Sequence, residues 1–497
     1  MKRVINGKTA ITQAVLDSHV EHIVGVPGYP ITDIMEELFN TPIQSKWCVN
    51  EKIAFESCIG ASGVGKRSIV ITKHVGMNVL ADPLITSTTH TIGAGIVVIA
   101  GDDPGAKKSQ NEQDSRYYGL IAETLVFDPS TPRYIYDAIM EGYCLSEKTM
   151  APSIVRITSR LARLEGEVKR RVWKMPAARV FDRSIWDYTL QGKHQLFHQT
   201  SYPAMQEYVE NTPMNKIVGR GSTGIISSGY PSGLAEKIAE EKNISHLILN
   251  AVNPLPVRRV EEFLKQHQRV LVVEETEPFI EHQLYDRVLG KHTGHLPYGR
   301  INSEHISDAL ENIHLNSVKN IIEPQKIKHR GYGVYLCRNC PFTPLYDALD
   351  DFDFPVAGDV GCSILMAPKG SVDLAVSLGS AIGIALGFNN KGVAVIGDFA
   401  LAHSGLQGII NAVQNDCDLL VFVICNGIAA MTGGQQAVDL KKVVASMVKD
   451  VITVDAKSAT RDVYTIIINE KIAKKGVSVV FLDGACPKDA SFRIIKF

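Results

Sequence analysis

Short β-branched and apolar runs alternate with amphipathic stretches along almost the whole chain, and this alternation limits the fold more than any other feature. In the first part the runs are 22–26, 68–72 and 94–101. Parallel strands joined by crossover helices are the simplest path that such an order allows. After Val26, Pro27-Gly28-Tyr29-Pro30 marks a strand-to-helix turn. Ile34, Met35 and Leu38 then recur at helical spacing over 31–38. This block closes near Leu161, after a strand over 152–157.

A second α/β block has strands over 224–229, 246–249 and 270–275 with a helix over 233–240. A third has strands over 393–398, 419–425 and 477–483 with helices over 371–387 and 405–414. At about 150 residues per domain, 497 residues suit three such units. The expected division is 1–164, 214–316 and 331–497, joined by a surface-wrapping connector over 165–213 and a polar linker over 317–330. The fold class is therefore α/β.

Charge and apolar content remove several classes of function. Lys and Arg number 52 against 53 Asp and Glu, with no basic stripe of the kind that neutralises a phosphate backbone, so nucleic acid is not an expected partner. The amino terminus turns polar too soon for a signal peptide, and the longest apolar stretch, 374–388, is too short for a membrane span of about 20 residues. A cytoplasmic location is expected. Nine cysteines at irregular spacing suit core thiols or metal ligands better than a disulfide framework.

Two strand ends in the third block hold unusual polar residues. Gly397-Asp398 ends one strand, and Cys425-Asn426-Gly427 ends the next, 28 positions after Asp398. Ligands of open parallel sheets bind at such carboxyl ends. A carboxylate, an amide oxygen and a backbone carbonyl together suit Mg²⁺ held partly by phosphates, and Gly397 lets a diphosphate approach the backbone. The plainer reading is that Asp398 caps a helix and Asn426 makes a turn.

The Gly-Asp to Asn spacing resembles the diphosphate-binding motif of thiamine diphosphate enzymes. That resemblance implies Asp398, Asn426 and the carbonyl of Ile428 as Mg²⁺ ligands, with Phe399 and Gly427 standing where other residues are common in the family. It also implies a glutamate on a separate domain that pairs with the aminopyrimidine of the cofactor. Glu51, at the end of the run Val49-Asn50 and nine residues before Gly60, matches that pattern. A lone glutamate at a helix start is otherwise an exposed first-turn carboxylate.

Longer stretches narrow the branch. Thr72-Lys73-His74-Val75-Gly76-Met77-Asn78, Gly101-Asp102-Asp103-Pro104-Gly105, the run 109–118 with Arg116, His403-Ser404-Gly405 and Ala430-Met431-Thr432-Gly433 resemble α subunits of indolepyruvate:ferredoxin oxidoreductases. The resemblance implies two doubly wound parallel-sheet domains flanking a transketolase-C-like domain. The implied cofactor contacts are Pro27, Gly28, Glu51 and Asn78 on the pyrimidine side. On the diphosphate side they are Gly361, Gly397, Asp398, Phe399, Asn426, Ile428, Met431 and Thr432. His74 and His403 are expected to move protons or touch the substrate carboxylate, or else to be hydrogen-bonded structural histidines. Arg116 is expected to hold the substrate carboxylate, or to pair with Asp114 or Glu112.

The implied reaction is oxidative decarboxylation of an aryl 2-oxo acid to an acyl-CoA, with electrons passed to ferredoxin or a partner β subunit. A non-oxidative decarboxylase and a non-catalytic scaffold subunit are the other readings. Family members commonly continue into a ferredoxin-like segment, which is not expected here because the chain stops at Phe497. Cys337, Cys340, Cys362 and Cys486 match in order the cysteines that bind one [4Fe-4S] cluster in the wider family, although inert thiols or zinc ligands fit the same spacing. A homodimer or a heterotetramer is the expected assembly.

Overall fold

The computed structural model describes residues 2–106, 109–171, 178–319 and 336–488. The chain divides into two compact units, Met1–Ile322 and Glu323–Phe497. Most of the linker expected over 317–330, and the start of the block expected from 331, lie outside the described residues.

The first unit contains strands β1 (Lys2–Asn6), β2 (His22–Gly25), β3 (Ser45–Trp47), β4 (Ser68–Lys73), β5 (Ile96–Asp102), β6 (Val126–Phe127), β7 (Ser153–Thr158) and β8 (Glu165–Lys169). They are followed by β9 (Lys216–Val218), β10 (Thr223–Ser228), β11 (Ser245–Leu249), β12 (Ala251–Asn253) and β13 (Arg269–Val273). A seven-stranded sheet runs β12-β6-β7-β5-β4-β2-β3 and is parallel except where β12 joins β6. Its strands read as near-continuous apolar runs because both faces are covered. Ile69, Ile71, Val97 and Ile99 enter one core, whereas Val70, Ile96, Val98 and Ala100 enter another. Each fully buried aliphatic side chain contributes about 1.5–3 kcal/mol relative to exposure.

A smaller sheet, β13-β10-β11-β9, carries most of the second block. That block also lends β12 to the large sheet. Asn215 fixes the crossing, since its Oδ1 accepts from the backbone N–H groups of Asn250 and Ala251 at 2.9 and 3.0 Å. The connector is more deeply embedded than a surface wrap. Its β8 pairs with β1, and the helix Tyr202–Asn211 buries Met205 and Val209 completely. Tyr202, Met205 and Val209 lie at three- and four-residue spacing, a helical stripe masked by the polar residues between them.

In the second unit, β14 (Val356–Gly358), β15 (Gly392–Gly397), β16 (Leu419–Cys425), β19 (Asp450–Asp455) and β20 (Val477–Asp483) form a parallel sheet in the order β14-β15-β16-β20-β19. A two-residue hairpin, β17 (Ile428–Ala429) with β18 (Gln435–Gln436), hangs from the end of β16. Val393 and Val395 face one core, and Ala394 and Ile396 the other.

The long helix expected over 371–387 is a correction. Only Ala381–Ala385 is α-helical there, and Leu374 and Val376 are exposed. Gly379 adopts φ +83°, where its N–H reaches Asp359, and Leu374 bridges to Ala357 as a strand residue. Composition alone made that stretch look like a buried helix. Among the described residues no helix is long and apolar enough to cross a membrane.

Candidate functional site

In the first unit, Asn50 is extended and caps the helix Glu51–Gly63, its side chain accepting the Lys52 N–H at 2.8 Å. This places Glu51 at the first helical position, yet only 6% of it is exposed. Its carboxylate lies over Gly76, in the first turn of the helix His74–His90 that follows β4. A methyl group at Gly76 would stand 2.5 Å from Glu51 Oε1 and 2.1 Å from Thr72 Oγ1. The missing side chain at 76 therefore makes the carboxylate's position attainable.

The neighbouring strand ends gather other expected residues. Gly28, held by the Thr32 hydroxyl at 3.1 Å, packs on Lys73, and Pro27 is buried in the same turn. His74 is fully buried with Nδ1 3.4 Å from the Gly101 carbonyl, and burial lowers its pKa. Asn78 is exposed and exchanges two amide hydrogen bonds with Gln113, tying the 109–118 segment to the helix. Lys73 was not singled out from the sequence. It is the last residue of β4, donates to Gln110 Oε1 at 3.1 Å, and burial lowers its pKa to about 8. A cation closing a parallel strand within the quoted motif was the available signal.

Arg116 takes the second of its two expected roles, pairing with Asp114, although in the interior rather than on the surface. It is fully buried, with Nε on Asp114 at 2.9 Å, one terminal nitrogen on Glu274 at 2.7 Å and on Ser228 at 3.0 Å, and the other on the Glu275 carbonyl at 3.0 Å. Its donors are spent between the two sheets of the first unit, and no face is left for a substrate carboxylate.

In the second unit, β15 and β16 run parallel, with Gly397 opposite Ile424, so Asp398 and Asn426 emerge beside each other at the carboxyl edge. Asp398 Oδ2 accepts the Gly427 N–H at 2.8 Å and Oδ1 the Phe399 N–H at 2.8 Å. Burial pushes its pKa up to about 6 against the pull of those N–H groups. Asn426 Oδ1 accepts the Ile428 N–H at 3.1 Å, and Gly427 turns at φ +75° to start the hairpin. Met431 and Thr432 follow in its loop, Met431 exposed and Thr432 bonded to Gln435. A Cβ added at Gly361, Gly397 or Gly427 would meet nothing within 4 Å, so open space faces the backbone at all three.

Asp359 was also missed. It follows β14 as Asp398 follows β15, and Gly358-Asp359 repeats the Gly-Asp signal one strand over. Burial pushes its pKa up to about 7, with the N–H groups of Gly379 and Ser380 and the charge of His403 pulling it down. His403, buried in the helix after Asp398, lies 3.2 Å through Nδ1 from Ser404 Oγ.

The four ordered cysteines gather in this unit. Burial pushes the Cys362 thiol up to about 11, with Cys340, Cys486 and Cys337 as neighbouring thiols. Burial also raises Cys340, beside Cys337 and Cys486. Gly484 draws the segments together, since a Cβ there would lie 3.1 Å from both Pro341 and Phe342. The Tyr346 hydroxyl meets Ser363 at 2.9 Å next to Cys362.

Residues 361–470 match the family described as thiamine pyrophosphate enzyme, C-terminal TPP binding domain, a span that contains Gly361, Asp398, Asn426 and Ile428. The indolepyruvate oxidoreductase subunit IorA of Archaeoglobus fulgidus is 31% identical over 473 residues, covering 86% of this chain and 75% of that protein. This chain belongs to the IorA family.

Two further IorA relatives agree. That of Methanothermobacter thermautotrophicus is 30% identical over 86% of this chain and 76% of its own length, and that of Pyrococcus abyssi 27% over 97% and 85%. Among solved structures, a 2-oxoglutarate:ferredoxin oxidoreductase from Magnetococcus marinus shares the fold, with a TM-score of 0.52 at 14% identity over 63% of this chain and 65% of that one. The IorA-family chain thus has the thiamine diphosphate-binding fold expected from its motifs, with the diphosphate-type strand ends inside the matched span.

Proposed function

We propose that this IorA-family protein is the thiamine diphosphate-bearing subunit of a 2-oxoacid:ferredoxin oxidoreductase. It acts on an aryl 2-oxo acid of the indolepyruvate type and yields an acyl-CoA. The observation that carries the reading is the pair Asp398 and Asn426 on adjacent parallel strand ends, joined through the Gly427 N–H. A buried carboxylate that accepts the Gly427 and Phe399 N–H groups, beside an amide oxygen and three glycines facing open space, fits a divalent cation and a diphosphate.

Asp398, Asn426 and the Ile428 carbonyl hold Mg²⁺, and Gly361, Gly397 and Phe399 lie against the diphosphate, with Met431 and Thr432 beyond. When bound, the cofactor supplies a carbon nucleophile and an electron sink for decarboxylation. Glu51 meets the aminopyrimidine through a carboxylate oxygen and exchanges a proton there, with Pro27, Gly28 and Asn78 shaping that side. His74 and His403 act on protons or the substrate carboxylate. Cys337, Cys340, Cys362 and Cys486 hold one [4Fe-4S] cluster. Their grouping supports this: Cys362 has Cys340, Cys486 and Cys337 as neighbouring thiols. Electrons leave to ferredoxin or a partner β subunit, in a homodimeric or heterotetrameric assembly in the cytoplasm.

The test is turnover of an arylpyruvate with coenzyme A, the co-purifying partner and an electron-accepting dye. Dye reduction that depends on thiamine diphosphate and falls at least ~100-fold in Glu51→Gln is expected. Aldehyde release without dye reduction would assign non-oxidative chemistry, and unchanged turnover in Glu51→Gln would leave a scaffold role.

A further inference from the structure

Elsewhere on the first unit, the helix Leu190–Leu196 runs into a wide turn, Phe197–Ser201, closed by hydrogen bonds of π-helical span. Such bulges occur often at functional sites. His194 and His198 straddle the junction with ring centroids 4.4 Å apart. His198 Nδ1 lies 3.0 Å from the His194 carbonyl, which can only accept, so Nδ1 carries the proton and Nε2 of the neutral ring presents a lone pair. That lone pair points at Glu123 Oε1, 2.9 Å away, on a residue held at φ +50° after the helix Tyr117–Ala122. Two acceptors at that separation need a positive species between them.

A proton on Nε2 is one such species, and a divalent ion that also recruits His194 is the other. One ligand atom from each of Glu123, His194 and His198 lies within 4.8 Å of the other two. A tetrahedral ion with bonds of about 2.0–2.1 Å holds its ligand atoms about 3.4 Å apart, so the 2.9 Å His198–Glu123 pair would open slightly and the His194 atom would close by at most about 1.4 Å, shifts within reach of side-chain rotation. The backbone carbonyl on Nδ1 is the outer partner that ligating histidines characteristically have, and it fixes the tautomer that metal binding requires. Two imidazoles and a carboxylate form a borderline donor set that selects zinc-class ions over Mg²⁺ or Ca²⁺. Glu123 and His198 side chains are 39% and 33% exposed, so an ion can enter and water can complete its coordination.

We propose that Glu123, His194 and His198 form a zinc-class site that clamps the connector helix to the turn entering β6. It is independent of the thiamine reading.

Co²⁺, as a spectroscopic stand-in for zinc, is titrated into the full-length protein with its cofactors retained, and thermal melting is followed with Zn²⁺. One ion per chain is expected, with weak d–d bands lacking strong thiolate charge transfer, and a raised melting midpoint. His198→Ala, His194→Ala and Glu123→Gln should each weaken binding by about tenfold or more. His282→Ala, in a histidine pair 5.9 Å apart elsewhere, should leave it unchanged. Absence of saturable uptake, which leaves His198 and Glu123 a plain ion pair, would overturn the proposal. So would uptake undiminished by the three substitutions, or uptake abolished by Cys340→Ser alone.

Discussion

His246 shows how far burial changes an ordinary residue. It sits in β11 with no exposed surface, Nε2 2.6 Å from Ser227 Oγ, and burial pushes its pKa down to about 3. An unfolded histidine titrates near 6.5, so the unfolded chain binds the proton first as pH falls. Stability from this group is complete above pH 6.5 and is lost progressively down to about 3, in total on the order of 5 kcal/mol. The difference in urea midpoint between wild type and His246→Gln should therefore shrink as pH falls through that window. A constant difference would show that the folded histidine charges freely. Glu51 and Arg116 make the same point for function. Each is a charged residue inside a recognisable motif, but one carboxylate faces a glycine gap at a strand end while one guanidinium is locked in the interior.

At the scale of elements, the site depends on how helices begin. Gly76 is in the first turn after β4, and Ala there would push against Thr72 and Glu51 at 2.1 and 2.5 Å. Gly76→Ala should keep the melting midpoint within a few degrees while turnover falls on the order of 100-fold, because a carboxylate displaced by about 1 Å loses its alignment. Equal loss of stability and activity would instead make Gly76 a packing residue. The cysteine-bearing loops give a second test: anaerobically purified protein should absorb broadly near ~400 nm, and Cys340→Ser should remove that band. A colourless wild type without iron would eliminate the cluster. Most strands were legible at this scale because runs such as 419–425 are apolar throughout and end in turn residues. The false helix over 371–387 was not distinguishable, because Gly379 and the Ala357–Leu374 bridge act through contacts with β14.

Across the first unit, the two sheets are joined by buried charge. Arg116 reaches Asp114 and Glu274, while Arg156 reaches Asp102 at 2.6 Å and Thr276 at 2.8 Å. Burial alone would raise the Asp114 pKa, but Arg116 and Arg156 hold it down at about 2. Removing one cation leaves carboxylates buried without compensation, so Arg116→Met should cost about 3–5 kcal/mol in urea unfolding of the intact chain. Retention of full stability with a raised KM would restore the substrate-binding reading of Arg116. The sequence by itself determined the parallel α/β class, the strand ends that carry Asp398 and Asn426, and the family, because these follow from local periodicity and short-range spacing. Tertiary structure decided that Glu51 is buried over Gly76, that Arg116 joins two sheets, that Lys73 is half-buried at the end of β4, that Asp359 is buried at the end of the strand beside β15, and that Cys362 has Cys337, Cys340 and Cys486 as neighbouring thiols. Those outcomes depend on which segments pack together, and a residue's charge or hydrophobicity says nothing of the partner that will face it.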